Sequence, residues 1–341
     1  MDETAERDDP LRFGIGGTGN WGLEDGRNVM AEGRATVVAA ADVSDDARAN
    51  AVAEFDIDES SAYESYETML ESEALDAVVI TTPHVFHYEQ IVAALDRDLH
   101  VFCEKPLVID VDDAKDVVRR AESGDRVVMP GFQRHVMPAY VAARDHWQRV
   151  DETPTSVTST ITQPWAGQFE DAWRADPDLS GGGYLYDTGT HLLDALMWVT
   201  DLTPASVSAE MEFVDDDERV DASASLLVTF EEGATASVTA DGRGGVVDEH
   251  HHVWSGDTGT HISGRGWTNR DLRVIDAESD RIPNVDAMER RTKVGAFVDA
   301  ITEGTEPPAT VRDGLKVTAV TEAAYEAART GERVPVDLTV D

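Results

Sequence analysis

Asp187 and His191 stand four residues apart, after the run Gly181-Gly182-Gly183 and at the head of the apolar stretch Leu192 to Val199. On a helix start that spacing puts both side chains on one face. A carboxylate beside an imidazole orients the ring and favours its protonated form, and a histidine so placed can exchange a proton near neutral pH. An ordinary helix cap with a satisfied histidine has the same pattern, so the pair gains meaning only from what surrounds it. Two other polar segments each terminate an apolar run: Thr81-Thr82-Pro83-His84-Val85-Phe86-His87 and Cys103-Glu104-Lys105-Pro106-Leu107. Both fall at the C-terminal ends of predicted strands, the edge of an open α/β sheet where ligands bind.

A third cluster is rich in glycine. Two G-x-G-x-x-G frames overlap, Gly14/Gly16/Gly19 and Gly17/Gly19/Gly22. A strand must run extended up to the turn, and only the later frame leaves Leu11 to Gly16 intact while placing Gly22 inside the following helix. In that frame Gly17 permits the turn, Gly19 lets backbone approach a pyrophosphate, and the helix that opens through Thr18, Asn20 and Trp21 offers unpaired amides to phosphate. Asp42 ends the next apolar run, 20 residues beyond Gly22, where a dinucleotide fold carries an acid for the ribose hydroxyls. Its charge opposes a 2′-phosphate, which favours NAD over NADP, and Arg48 softens that preference.

These segments need a scaffold. From Leu11 to about Gln133, short apolar runs (Leu11 to Gly16, Thr36 to Ala41, Ala77 to Thr81, His100 to Cys103, Arg126 to Met129) alternate with amphipathic stretches (Asp45 to Phe55, Tyr66 to Glu71, His87 to Arg97, Asp112 to Ser123). That alternation predicts βαβ units and a doubly wound parallel Rossmann sheet. After Pro138 the texture changes to alternating runs at Ser156 to Gln163, Val207 to Val214, Ala222 to Phe230 and Ala234 to Asp241, which read as antiparallel strands with one buried face. Helices over Asp286 to Glu303 and Val311 to Thr330 close the chain. The expected organisation is a charged tail over 1–10, a dinucleotide-binding domain over 11–133 and an α/β substrate and oligomerisation domain over 134–341, whose terminal helix can pack back on the first.

Composition narrows the function. A formal charge of -40, from 68 acidic against 28 basic residues, repels phosphate backbones and anionic membranes, so neither nucleic acid nor a membrane is an expected partner. No window approaches a membrane span. With Cys103 as the single cysteine and no apolar core in the first ten residues, a cytoplasmic location is expected. Only Lys105, Lys115, Lys293 and Lys316 are lysines, and such acid-rich, lysine-poor usage fits a salt-rich cytoplasm. No metal is expected: His250 to His252 lie in a strand-like run where alternate rings face opposite ways, and His84 and His87 lack partners at zinc spacing. Trp165, Trp173 and Arg174, in a loop-like segment before the glycine cluster, could stack on a sugar ring and grip a hydroxyl or carboxylate, or simply pack the loop.

Taken in order, Gly17 to Gly22, Thr82-Pro83 with His87, Glu104-Lys105-Pro106, Gly181 to His191 and Asp313-Gly314 to Thr330-Gly331 resemble the glucose-fructose oxidoreductase and inositol dehydrogenase (Gfo/Idh/MocA) family. The resemblance implies a C-terminal α/β domain with a large open, mainly antiparallel sheet that makes a homodimer or homotetramer. It also implies that Lys105, Asp187 and His191 face a sugar, cyclitol or related polyol across the nicotinamide, with Thr82, Pro83, His87, Glu104 and Lys105 near the cofactor. The implied reaction is hydride transfer from a secondary hydroxyl to NAD, NADP being possible. A glycosidase using transient oxidation, or a non-catalytic sugar or dinucleotide sensor, is the alternative. His84 stands where the family carries asparagine, and His135 where it often carries arginine.

The charge excess yields a first expectation. Self-repulsion among the 40 excess negative charges is screened by ions, so the melting temperature should climb as KCl rises from millimolar to molar. Thermal melts across that range check it, and a flat curve rejects the salt adaptation.

Overall fold

The computed structural model describes residues 9–169 and 172–340; most of the charged tail expected over 1–10 lies outside the described residues. Strands β1 (Leu11–Gly16), β2 (Ala35–Ala41), β3 (Ala62–Tyr63), β4 (Ala77–Ile80), β5 (His100–Cys103) and β6 (Val128–Pro130) form a sheet in the order β3-β2-β1-β4-β5-β6. Every pairing in it is parallel. Strands covered on both faces are apolar throughout, as in β4, where all residues are buried. The intervening helices start where short polar side chains cap them: Ser44 accepts from Ala47 N, and Asp110 accepts from Asp112 N and Asp113 N. The strand order reverses between β1 and β4, so the crevice at their C-terminal ends, beside Gly17 and Thr81, is the switch point where such sheets bind ligands.

The second sheet has nine strands. β7 (Ser156–Thr162), β8 (Pro204–Phe213), β9 (Asp221–Phe230), β10 (Thr235–Asp241), β11 (Asp248–Ser255), β12 (Thr258–Arg265), β13 (Asp271–Asp276), β14 (Asp280–Arg281) and β15 (Val334–Pro335) run in the order β14-β13-β12-β11-β7-β10-β9-β8-β15. Only the β7/β10 pair is parallel. Burial alternates along its strands, as in β10, where Ala236, Val238 and Ala240 are buried while Thr235, Ser237 and Thr239 face outward. The helices Pro138–Arg149, Thr190–Thr200 and Val311–Thr330 pack on the second sheet.

Two helices near the C-terminus return to the first sheet. Phe297, on the helix Lys293–Glu303, meets Phe13 at 6.1 Å and Phe102 at 5.9 Å between ring centroids. Val311 and Leu315, on the last helix, share a core with Val117 and Val118. The helix expected from Asp286 begins instead at Lys293, because the Thr292 side chain caps it by accepting from Gly295 N. The last helix starts and ends as the sequence predicts, between a Thr310/Asp313 capping box and Gly331 at φ +70°.

His135 ties three segments together. Its Nδ1 meets the Pro308 carbonyl oxygen at 2.6 Å, its Nε2 meets Asp194 Oδ1 at 2.8 Å, and its ring stacks on Trp198 at 4.2 Å. The Asp194 carboxylate and the Pro308 carbonyl oxygen both favour the protonated ring. Burial works against that charge, but the Asp194 carboxylate prevails and holds the pKa above the ordinary histidine value. This contribution to stability is fully present below the unfolded value of about 6.5 and fades as pH rises through the raised folded value. Urea midpoints at fixed salt should therefore fall as pH climbs above neutrality. His135→Gln should remove that fall and cost about 3 kcal/mol at pH 6.

Candidate active site

The turn after β1 is built for close approach. Gly17 has φ +83°, and a Cβ there would come within 2.9 Å of the Thr81 carbonyl carbon. A Cβ on Gly22 would lie 1.9 Å from the Gly17 oxygen, so this position must be glycine for the helix Asn20–Ala31 to sit on the turn. A Cβ on Gly19, at the N-cap, would meet no atom within 4 Å: the space over the helix N-terminus is open. Asp42 supports the turn, its carboxylate accepting from Thr18 N at 2.7 Å and Ser44 N at 2.9 Å, while Arg48 donates to the Asp42 carbonyl oxygen. These residues fit a dinucleotide pyrophosphate at the helix N-terminus and a ribose beside Asp42.

From this turn a cleft of about 960 Å³ runs between the two sheets, lined by Gly19, Trp21, Lys105, Arg174, Asp187 and His191 among others. Lys105 leaves the end of β5 and crosses the cleft. Its Nζ donates to Asp187 Oδ1 at 3.0 Å and to the Asp187 carbonyl oxygen. Trp165 Nε1 donates to Asp187 Oδ2 at 2.8 Å, and Arg174 Nε lies 3.4 Å from Oδ1. Burial alone would raise the Asp187 pKa, but the Lys105 and Arg174 cations outweigh it and hold the carboxyl well below its usual range.

The expected pairing of Asp187 with His191 is not formed. The chain runs through a π-helical turn, Leu185–Gly189, before the α-helix Thr190–Thr200, so the α-helical i, i+4 rule does not hold across it. Buried Asp221 anchors this turn by accepting from Leu185 N at 3.0 Å. Asp187 is thereby aimed at Lys105, and among the described residues the buried His191 Nδ1 has no hydrogen-bond partner. Burial, followed by the charges of Arg134 and Lys105, pushes the His191 pKa well below 6.5. The ring is neutral and able to accept a proton, the reverse of the charge state a carboxylate neighbour would favour.

Other expected contacts are redistributed. His87 is fully buried, and both ring nitrogens are spent on backbone carbonyls, Pro106 at 2.8 Å and Thr82 at 2.9 Å; it pins two turns behind the cleft rather than touching a cofactor. Thr82 turns its hydroxyl to Gln90 at 2.6 Å, and the adjacent Thr81 lines the cleft beside the Thr82-Pro83 turn. Trp165, 2% exposed, backs Asp187 and presents no face for stacking. Trp173 and Arg174 do line the cleft, with the guanidinium 4.5 Å over the indole. Among the described residues no group of three or more His, Cys, Asp or Glu could hold a metal ion, and none of their helices is long and apolar enough to cross a membrane.

Sequence reasoning missed Gln133, Gln163, Trp267 and Lys293 in the cleft. It also missed a fully buried network behind His191. Glu249 accepts from Arg134 at 2.5 Å, from Arg270, and from Tyr140 Oη at 2.7 Å, while Arg134 lies 5.5 Å over the Trp267 ring that neighbours His191. None of these has a local motif; Arg134 and Glu249 are 115 positions apart.

Residues 11–132 match a family model described as "Oxidoreductase family, NAD-binding Rossmann fold", and residues 153–260 match the "GFO/IDH/MocA C-terminal domain". A D-xylose 1-dehydrogenase (NADP(+)) 2 of Haloferax volcanii is 30% identical over 96% of this chain and all of its own length. A D-xylose 1-dehydrogenase [NADP(+)] of Haloarcula marismortui is 26% identical over 98% of this chain and 96% of its own. A levoglucosan dehydrogenase solved with NADH superposes with a TM-score of 0.83 at 20% identity, over 96% of this chain and all of that one. Both relatives carry NADP in their names, which sharpens the question posed by Asp42. If its carboxylate opposes a 2′-phosphate, Asp42→Ala should narrow the preference for NAD over NADP by about tenfold, equivalent to roughly 1.4 kcal/mol. Fluorescence titration of each cofactor measures the ratio, and an unchanged ratio would remove Asp42 as the discriminator.

Proposed function

Because the chain belongs to the Gfo/Idh/MocA family of NAD-binding oxidoreductases, we propose that its cleft oxidises a secondary hydroxyl of a sugar, cyclitol or related polyol with Lys105, Asp187 and His191 as the working residues. The reading rests chiefly on Lys105: an ammonium anchored to a carboxylate, facing the same cleft as a neutral imidazole and a glycine turn. NAD or NADP, when bound, would be held by the turn Gly17 to Gly22 with Asp42 at its ribose and would supply the hydride acceptor. His191 accepts the hydroxyl proton as the C–H bond breaks. Lys105 donates to the reacting oxygen and stabilises its developing negative charge. Asp187 acts on Lys105 rather than on His191, holding the ammonium in place. Trp173 and Arg174, which line the same cleft, would meet the substrate.

The same reading extends to assembly and location. The outward face of the second sheet is dominated by hydroxyl side chains, such as Ser156, Thr158, Thr235, Ser237 and Thr239, with Leu227 and Trp254 each 43% exposed. That face suits a homodimer or homotetramer contact better than the acidic remainder of the surface. Buried, unpaired Cys103 suits a reducing cytoplasm.

A screen of sugars, cyclitols and sugar acids for NADH or NADPH formation at molar salt identifies the substrate. With it, His191→Ala should lower turnover by roughly 100-fold to 10,000-fold, the usual worth of positioned proton transfer. Lys105→Ala should lower it at least as much. The dinucleotide affinity of the His191 variant should stay near normal, because the glycine turn is separate. Near-normal turnover in either variant would refute the role assigned to that residue.

A further inference from the structure

The turn that carries Lys105 is held from two sides. Behind it, His87 bonds the Pro106 carbonyl oxygen. In front, the Glu104 carboxylate reaches back along its own turn, Oε2 accepting from Lys105 N at 3.3 Å. Oε1 faces the other way, over Gly131, where a Cβ would come within 2.7 Å of it. There it meets the ammonium of Lys293, 189 positions further along the chain.

Lys293 is 12% exposed and stands at the first position of the helix Lys293–Glu303. Its Nζ lies 5.3 Å over the Trp21 ring and 5.5 Å over that of Phe102. Asp25, 1% exposed on the helix that follows the glycine turn, approaches to 3.8 Å. A cation at a helix N-terminus is set against the helix dipole, so the two carboxylates are what make this placement tolerable. One ammonium therefore joins the glycine-turn helix, the Lys105 turn and the C-terminal helix.

We propose that Lys293 is a positioning residue for the reaction: it fixes the Glu104 carboxylate, and through it the backbone of Lys105, so that the Lys105 ammonium is presented to the reacting oxygen. The inference rests on the role of Lys105 proposed above. Without Lys293 the Glu104 carboxylate loses its external anchor, the turn loosens, and a displacement on the order of 1 Å at a reacting group costs roughly 100-fold in rate.

The test is Lys293→Met with Lys293→Arg, Glu104→Gln, the Lys293→Met/Glu104→Gln double variant and Lys105→Ala, assayed by steady-state kinetics and dinucleotide titration on the full chain. Lys293→Met is expected to lower kcat roughly 10-fold to 100-fold, with KM for substrate and Kd for NAD each within about threefold. Lys293→Arg should recover most of the loss. The double variant should be no slower than the slower single variant, because both changes break one strut. If Lys293→Met fails to fold, Lys293→Met/Asp25→Asn, which removes the ammonium together with one countercharge, takes its place. Normal kcat, an affinity loss as large as the rate loss, or additive losses in the double variant would overturn the proposal. Near-normal turnover in Lys105→Ala overturns the underlying reading instead, so the two failures are separable.

Discussion

An ammonium taken out of water must keep a carboxylate, and the site is organised around that requirement. Lys105 follows β5 of the first sheet and Asp187 lies on the turn between β7 and β8 of the second, so their ion pair is also a contact between the two halves of the molecule. Much of the neighbourhood follows from holding this pair in one geometry. Trp165 lies buried to occupy the second Asp187 oxygen, and Asp221 sits in the core to anchor the π-helical turn that aims Asp187. His87 gives up both ring nitrogens to backbone, fastening the Lys105 turn to the Thr82 turn. Once Asp187 is committed to Lys105, His191 has no carboxylate partner among the described residues, and burial keeps it uncharged. Environment thus sets the charge of each group: the neighbouring cations keep Asp187 ionised, and burial keeps the His191 ring neutral.

What the sequence made legible was local. The glycine spacing and Asp42 are set by the geometry of one strand, one turn and one helix, so their positions in the chain translate directly into positions in space. The alternation in Thr235–Asp241 and the continuous apolar run of Ala77–Ile80 likewise reveal which faces are covered. The pairing of Asp187 with His191 was misjudged for an equally local reason: four-residue spacing carries its meaning only on a regular α-helix, and the turn there is wider. Nothing in the run Leu185 to Gly189 announces this, because the cause, Asp221, lies on β9.

The residues that escaped notice share a different property. Lys293, Trp267, Arg134 and Glu249 acquire their roles from partners far away in the chain, and none sits in a recognisable pattern. A lysine heading a helix or a glutamate within a strand has many uses, and only the fold selects one. The lysine count was a usable signal: in a chain with four lysines, one kept at the head of an otherwise apolar helix invites the question of what holds it.

The helices that complete the first sheet come from the end of the chain. Phe297 covers Phe13 and Phe102, and Leu315 shares the core with Val117 and Val118. A ribosome therefore delivers the strands of the dinucleotide half long before it delivers their cover. The nascent chain must carry Phe13 and Phe102 without that partner while the remaining residues are made, a stage at which apolar surface invites association between unfinished chains. An excess of acidic side chains along the emerging polypeptide works against such association, so the composition that suits a salty solvent also guards the interval before the two ends of the chain meet.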